Sequence, residues 1–172
     1  MKSIPVLAFI LSLASVPAFA AAPKINDAQI AAIVVAANQV DIDAGKFAAE
    51  KSTDAAVKQF ATTMVTDHSA VNHSAVDLVT RLKVTPEAND TSRALLAGGE
   101  QNIAHLRTLD GRAFDKAYVD HEVAYHEQVI AAIDNVLIPG AENADLKALL
   151  IKVRPAFIAH LEHAKHLQAT YR

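Results

Sequence analysis

Residues 53–82 read TDAAVKQFATTMVTDHSAVNHSAVDLVTRL. Apolar side chains recur at Val57, Ala61, Met64, Val71, Ala75, Leu78 and Leu82, three or four positions apart. That is the period of an α-helix with one face turned to a core. The stripe skips a single position, 68, and there the residue is a histidine. Ser52-Thr53 breaks and recaps the chain ahead of this helix. Lys83 to Asp90, with Pro86, Asn89 and Asp90, reads as the loop that follows it.

The same period extends in both directions. Upstream, Asn26-Asp27 offers a cap for a helix that runs to about Glu50, with Ile30, Val34, Ala37, Ala44 and Ala48 on its stripe. Downstream, a weaker helix spans roughly Thr91 to Leu109, interrupted at Gly98-Gly99 and ended by Asp110-Gly111. A further helix runs from near Arg112 to about Ile138, where Pro139-Gly140 reads as a stop. Asn143 caps a last helix that continues to Tyr171 through Leu146, Leu150, Val153, Phe157, Ala164 and Leu167. Pro155 lies inside it and predicts a local kink with one backbone bond lost. Two pairs of long helices are thus joined by tight turns, and some 30 residues separate the pairs. The fold class expected is all-α: a ferritin-like four-helix bundle of two helical hairpins joined by a long crossover that contains a short helix.

The beginning of the chain has another character. Lys2 supplies a positive charge, Ile4 to Val16 is almost wholly apolar, and Pro17-Ala18-Phe19-Ala20 ends in an A-x-A form. This is the pattern of a secretory signal cut after Ala20, which leaves residues 21–172 as one exported domain. The apolar run is about 13 residues, short of the roughly 20 that span a bilayer. No later stretch approaches that length, so no membrane span is expected after cleavage. The chain has no cysteine, which removes disulfides and thiolate chemistry. Without Lys2 the chain carries 15 basic and 19 acidic residues, a weakly acidic balance that argues against nucleic acid as a partner. Alanine-rich helices allow close approach, so a homo-oligomer is a possible assembly.

Each long helix turns a polar residue into its apolar stripe: Asp41 in the first, His68 in the second, His160 in the last. The fourth helix offers two stripes. Val119, Glu122, His126, Val129, Ile133 and Val136 form one, and Phe114, Tyr118, His121, Tyr125 and Ala132 the other. The first is preferred because it ends on the more apolar group, and it points Glu122 and His126 inward together. With the two tight turns at opposite ends and a rise of 1.5 Å per residue, all five polar residues fall in a middle slab about 10 Å thick.

Buried polar groups need partners. A transition metal is one solution, since imidazole and carboxylate from facing helices form the usual ligand set in a bundle. Asp41, His68, Glu122, His126 and His160 are the candidate metal residues, with zinc, copper or iron as the candidate ion. The other solution is a metal-free network in a structural or interaction module. No catalytic residues are read. The residues three after Glu122 and Glu162 are Tyr125 and Lys165, so the Glu-x-x-His pairs of di-iron bundles are missing and a redox enzyme is disfavoured. Asp67-His68-Ser69 is no triad, because consecutive helical residues diverge by about 100°. His73, His105, His121, His163 and His166 read as surface or helix-end residues.

Several stretches then carry a resemblance: 40–48 (VDIDAGKFA), 60–68 (FATTMVTDH), 114–118 (FDKAY) with His126 after it, and 155–161 (PAFIAHL). The chain resembles a widespread bacterial family of secreted proteins known only as a domain of unknown function, family 4142. The resemblance implies a ferritin-like fold and a periplasmic or outer-membrane-associated location, with no established reaction. The family's usual acidic residue near position 41 is glutamate, one methylene longer than the aspartate here. The leading functional expectation, from the polar residues at one depth, is a non-enzymatic periplasmic bundle that binds a transition metal or serves as a stress-related accessory protein.

Overall fold

Asn26 opens the first helix by accepting the Gln29 amide at 2.8 Å, while the Gln29 side chain accepts the Asn26 amide at 3.2 Å. This reciprocal cap satisfies two donors that a helix start leaves orphaned. It begins α1 (Asp27–Lys51) in a computed structural model that describes residues 25–171. The expected leader, residues 1–20, lies outside the described residues. α2 (Ala55–Leu82) is capped by the Asp54 side chain, which accepts from the Ala56 and Val57 amides. The cap expected at Ser52-Thr53 is therefore supplied by Asp54, and Ser52 instead closes α1. α3 (Asp90–Arg107) and α6 (Ala144–Ala169) start on Asn89 and Asn143 in the same way. α4 (Gly111–Ala132) continues through a π-helical segment (Ile133–Leu137) into a last turn, α5 (Ile138–Gly140). Every described element is a helix, and none is long and apolar enough to cross a membrane.

Cross-links at the helix ends set the path of the chain. α1 rises and α2 descends beside it. The Glu87 amide then donates to the Ala28 carbonyl and the Asn89 side chain to the Gln29 carbonyl, which starts α3 at the foot of α1. Lys51 reaches the Arg107 carbonyl at 3.2 Å, which ends α3 at the top of α1. Its 18 residues cover about 27 Å at 1.5 Å each. α4 begins at the top, where the Ser52 hydroxyl donates to the Asp115 carboxylate at 2.6 Å. α6 begins at the foot, where Asp27 accepts from the Glu142 and Asn143 amides, and ends at the top, where the Tyr171 hydroxyl donates to Asp54. α2 and α4 therefore run the same way, which a lengthwise crossover makes possible.

Three local expectations need correction. α3 runs through Gly98-Gly99 without interruption. A Cβ on Gly99 would lie 2.9 Å from a Val40 methyl, so the glycine lets α3 approach α1 closely and does not break the helix. Pro139-Gly140 does not stop the fourth helix at Ile138, because the preceding turn widens: the Ile138 amide bonds the Ile133 carbonyl, and the missing proline N–H is absorbed there. The wider turn also shifts the face. Leu137 is buried in place of the expected Val136, which is 47 % exposed. α6 continues through Pro155, an exposed position, where the residue has no N–H to give the carbonyl four before it.

The interior has two apolar layers. The upper one gathers Phe60, Met64, Phe114, Tyr118, Leu161 and Leu167, the lower one Ile30, Leu78, Val129, Ile133, Leu150 and Phe157. Within the upper layer α1 and α2 touch at Gly45, where an added Cβ would stand 2.9 Å from the Ala61 carbonyl oxygen. Backbone cannot move aside as a side chain can. Gly45→Ala is expected to lower stability by about 1–3 kcal/mol through overpacking, despite alanine's better helix propensity. Chemical denaturation checks this, and an unchanged midpoint would mean that the two helices separate freely.

Candidate metal centre

Between the two apolar layers lies a polar one. α1 brings Asn38 and Asp41 to it, α2 His68, α4 Glu122 and His126, and α6 His160. Exposure is 1 % or less for Asp41, His68, Glu122 and His126, and 6 % for His160. All five residues expected from periodicity are therefore buried, and they meet at mid-height. The imidazole centroids of His68, His126 and His160 are 5.1–5.6 Å apart. Phe157 packs against all three rings from below, at 5.0–6.3 Å.

Each imidazole has one nitrogen engaged by an acceptor. His68 Nδ1 donates to Asn38 Oδ1 at 2.8 Å, and the Asn38 amide is oriented by its own bond to the Val34 carbonyl. His126 Nδ1 donates to the Glu122 main-chain carbonyl at 2.9 Å. His160 Nε2 donates to the Asp67 carboxylate at 2.9 Å. These partners leave a lone pair on the other nitrogen of each neutral ring. Those nitrogens, His68 Nε2, His126 Nε2 and His160 Nδ1, are buried and receive no hydrogen bond from any described group. One ligand nitrogen from each of the three rings lies within 4.8 Å of the other two. Each of the three clustered rings thus carries one nitrogen without a donor, while its other nitrogen is held as the outer partners of metal-bound histidines hold them.

The carboxylates form a second group that shares His126: Asp41, Glu122 and His126 each bring a ligand atom within 4.8 Å of the others. They approach the Nδ1 edges of the rings, Asp41 at 3.4 Å from His68 and Glu122 at 3.5 Å from His126. Asp41 Oδ2, both Glu122 carboxyl oxygens and the neighbouring Tyr118 hydroxyl are buried without a well-formed hydrogen bond among the described residues. The five expected residues therefore divide into three imidazoles around one point and two carboxyls behind them.

Burial governs the electrostatics. It holds the His68 imidazole down to about 2, helped by the charges that His126 and His160 would carry, and the His126 imidazole down to about 4. Both are neutral donors at physiological pH. Burial pushes the two carboxyls the other way. Asp41 lies well above the carboxylate range, raised further by facing Glu122, and Glu122 rises to about 8. A raised carboxyl binds a proton in the folded protein that the unfolded chain has already released, so stability falls as pH rises through that range. The depressed histidines act only below their ordinary 6.5, where stability rises with pH. Between pH 7 and 8 the carboxyl pair dominates, and metal-free protein is expected to lose about 1 kcal/mol. Urea unfolding at the two pH values measures this, with the Asp41→Asn/Glu122→Gln double variant as the flat reference. An equally flat wild-type profile would contradict the held proton.

Three partners were not expected from the stripes. Asn38 sits three positions before Asp41, on the same helical face, and that spacing is a signal that could have found it. Asp67 was set aside because it diverges from His68. It does diverge, and for that reason it reaches the next helix and holds His160. Phe157 was expected as core and serves as the floor of the pocket. The second stripe of α4 is buried as well: Phe114 packs edge-on to Phe47 of α1, Tyr118 to Phe60 of α2, and the Tyr125 hydroxyl donates to the Ala37 carbonyl of α1. The remaining histidines stay outside the pocket: His73 stands by Asp77 on the surface, and His163 lies edge-on to Phe60.

Residues 14–167 match the family described as Domain of unknown function (DUF4142). The chain belongs to this family. Comparison with curated proteins and with solved structures returns no match. The match to DUF4142 spans all four helices that supply the polar layer, so the pocket lies wholly inside the family domain.

Proposed function

We propose that this DUF4142 protein is an exported, non-catalytic bundle of ferritin-like layout that binds a transition-metal ion, zinc, copper or iron, through His68, His126 and His160. One observation carries the reading: three buried imidazoles cluster, each with one nitrogen that no donor reaches and the other held by an acceptor. A purely structural network would be expected to satisfy its own members, because an unpaired buried polar atom costs about 1–3 kcal/mol. The metal-free reading keeps one observation in its favour, that each ring already has one good partner. Lys2, the apolar run 4–16 and the Ala18-Phe19-Ala20 end support export.

Protein purified without a His tag, analysed for metal and then titrated with zinc, copper and iron, tests the reading. About one ion per chain with micromolar or tighter affinity and a raised melting temperature is expected. No binding at micromolar concentration with an unchanged melting temperature would leave the metal-free network as the answer.

A further inference from the structure

An ion reaches a buried site only where the fold can open, and the wall of this pocket is uneven. Asp41, His68, Glu122 and His126 are sealed inside the bundle, and His160 is the most exposed of the five. Its ring spans the wall. Nδ1 is buried with no hydrogen-bonding partner among the described residues, whereas Nε2 donates to Asp67 of α2, whose side chain is 45 % exposed. A helical side chain lies over the turn before its own Cα. Four positions before His160 that turn carries Ala156, whose single methyl leaves the ring room to rotate. The other two rings are held inside the core, His68 by Asn38 of α1 and His126 by a carbonyl of its own helix.

We propose that metal ions enter and leave the pocket at the seam between α2 and α6 by outward rotation of His160, and that Asp67 is the positioning residue that holds this ring closed. This rests on the three-imidazole reading above and names its entrance. Rotation breaks one hydrogen bond, at a half-exposed carboxylate where water takes the place of the lost partner. It leaves the apolar layers above and below packed. Opening at His68 or His126 instead moves a fully buried ring past Phe157 and breaks a bond that no water reaches. Asp67 acts on the closed ring both before an ion is seated and after, so it sets loading and release alike. Asn38 holds a ring away from the entrance, so it affects release alone.

Stopped-flow kinetics with zinc test this. Loading of metal-free protein is followed with a fluorescent zinc indicator, and release by transfer to excess chelator. Asp67→Ala is expected to load and to release zinc about tenfold faster than wild type, the effect of one net hydrogen bond. Its equilibrium affinity then changes less than either rate. Asp67→Asn keeps an acceptor for Nε2 and is expected to load at the wild-type rate, which separates the hydrogen bond from the lost charge. Asn38→Ala is expected to release faster with loading unchanged. If that buried substitution does not fold, the contrast between alanine and asparagine at position 67 still decides. Loading that is unchanged or slower in Asp67→Ala, or raised as much by Asp67→Asn or Asn38→Ala, would overturn the entrance and leave the three-imidazole site standing. Wild-type protein that takes up no zinc even at equilibrium would overturn the site itself.

Discussion

His126→Leu is expected to make the metal-free protein as stable as the wild type or more so, and to abolish its stabilisation by metal. His126 belongs to both the imidazole group and the carboxylate group, packs against His68 and His160, and is fully buried. Leucine fills a similar space and takes away a buried nitrogen that has no donor. Removing an unsatisfied buried group in favour of an apolar one of like shape is neutral to stabilising. The bond lost, from Nδ1 to the Glu122 carbonyl, lies within one helix turn and ties no two helices together. Binding reverses the order. An ion present at 100 times its dissociation constant stabilises the wild type by about 2.7 kcal/mol, and the variant, with two imidazoles left, gains almost none of it. Thermal unfolding with and without zinc measures both effects, and the two melting curves should change order between conditions. If leucine lowered the metal-free stability by several kcal/mol, the ring would be a structural keystone and the site reading would lose its main support.

The largest effect on stability is expected one layer higher, at Phe60. This ring is fully buried on α2, edge-on to Tyr118 of α4 at 6.2 Å and to His163 of α6 at 5.0 Å. It therefore joins three helices in the upper apolar layer. Phe60→Ala removes that contact area and leaves a cavity, which costs about 3–5 kcal/mol. A domain of this size has roughly 5–15 kcal/mol in total, so the variant should melt about 10 °C lower and lie close to unfolding at elevated temperature. Calorimetry of metal-free protein gives the number directly. A loss under 1 kcal/mol would mean that the upper layer repacks, and that the polar slab below it is held in place by something else.

The two variants separate what positions the pocket from what the pocket holds. The apolar layers above and below are what keep four polar helix faces at one height. Asp41 and Glu122 have charge and burial in conflict, and the fold tolerates that conflict only because the layers around them are well packed.

What the sequence by itself determined is periodic. The 3.6-residue repeat and the 1.5 Å rise are set by backbone geometry, so counting along the chain was enough to bring Asp41, His68, Glu122, His126 and His160 to one face and one depth. Tertiary structure decided everything that depends on a neighbouring helix. Val40 shows why Gly99 is a glycine, and Phe47, Ala37 and Phe60 on α1 and α2 show why the second stripe of α4 is buried too. A widened turn before Pro139 moves burial from Val136 to Leu137, since one extra residue per turn rotates all that follows. The same holds in the pocket. Asn38 and Asp67 hold one nitrogen of His68 and of His160 from a neighbouring helix, and hydrogen bonds between helices leave no period in a sequence.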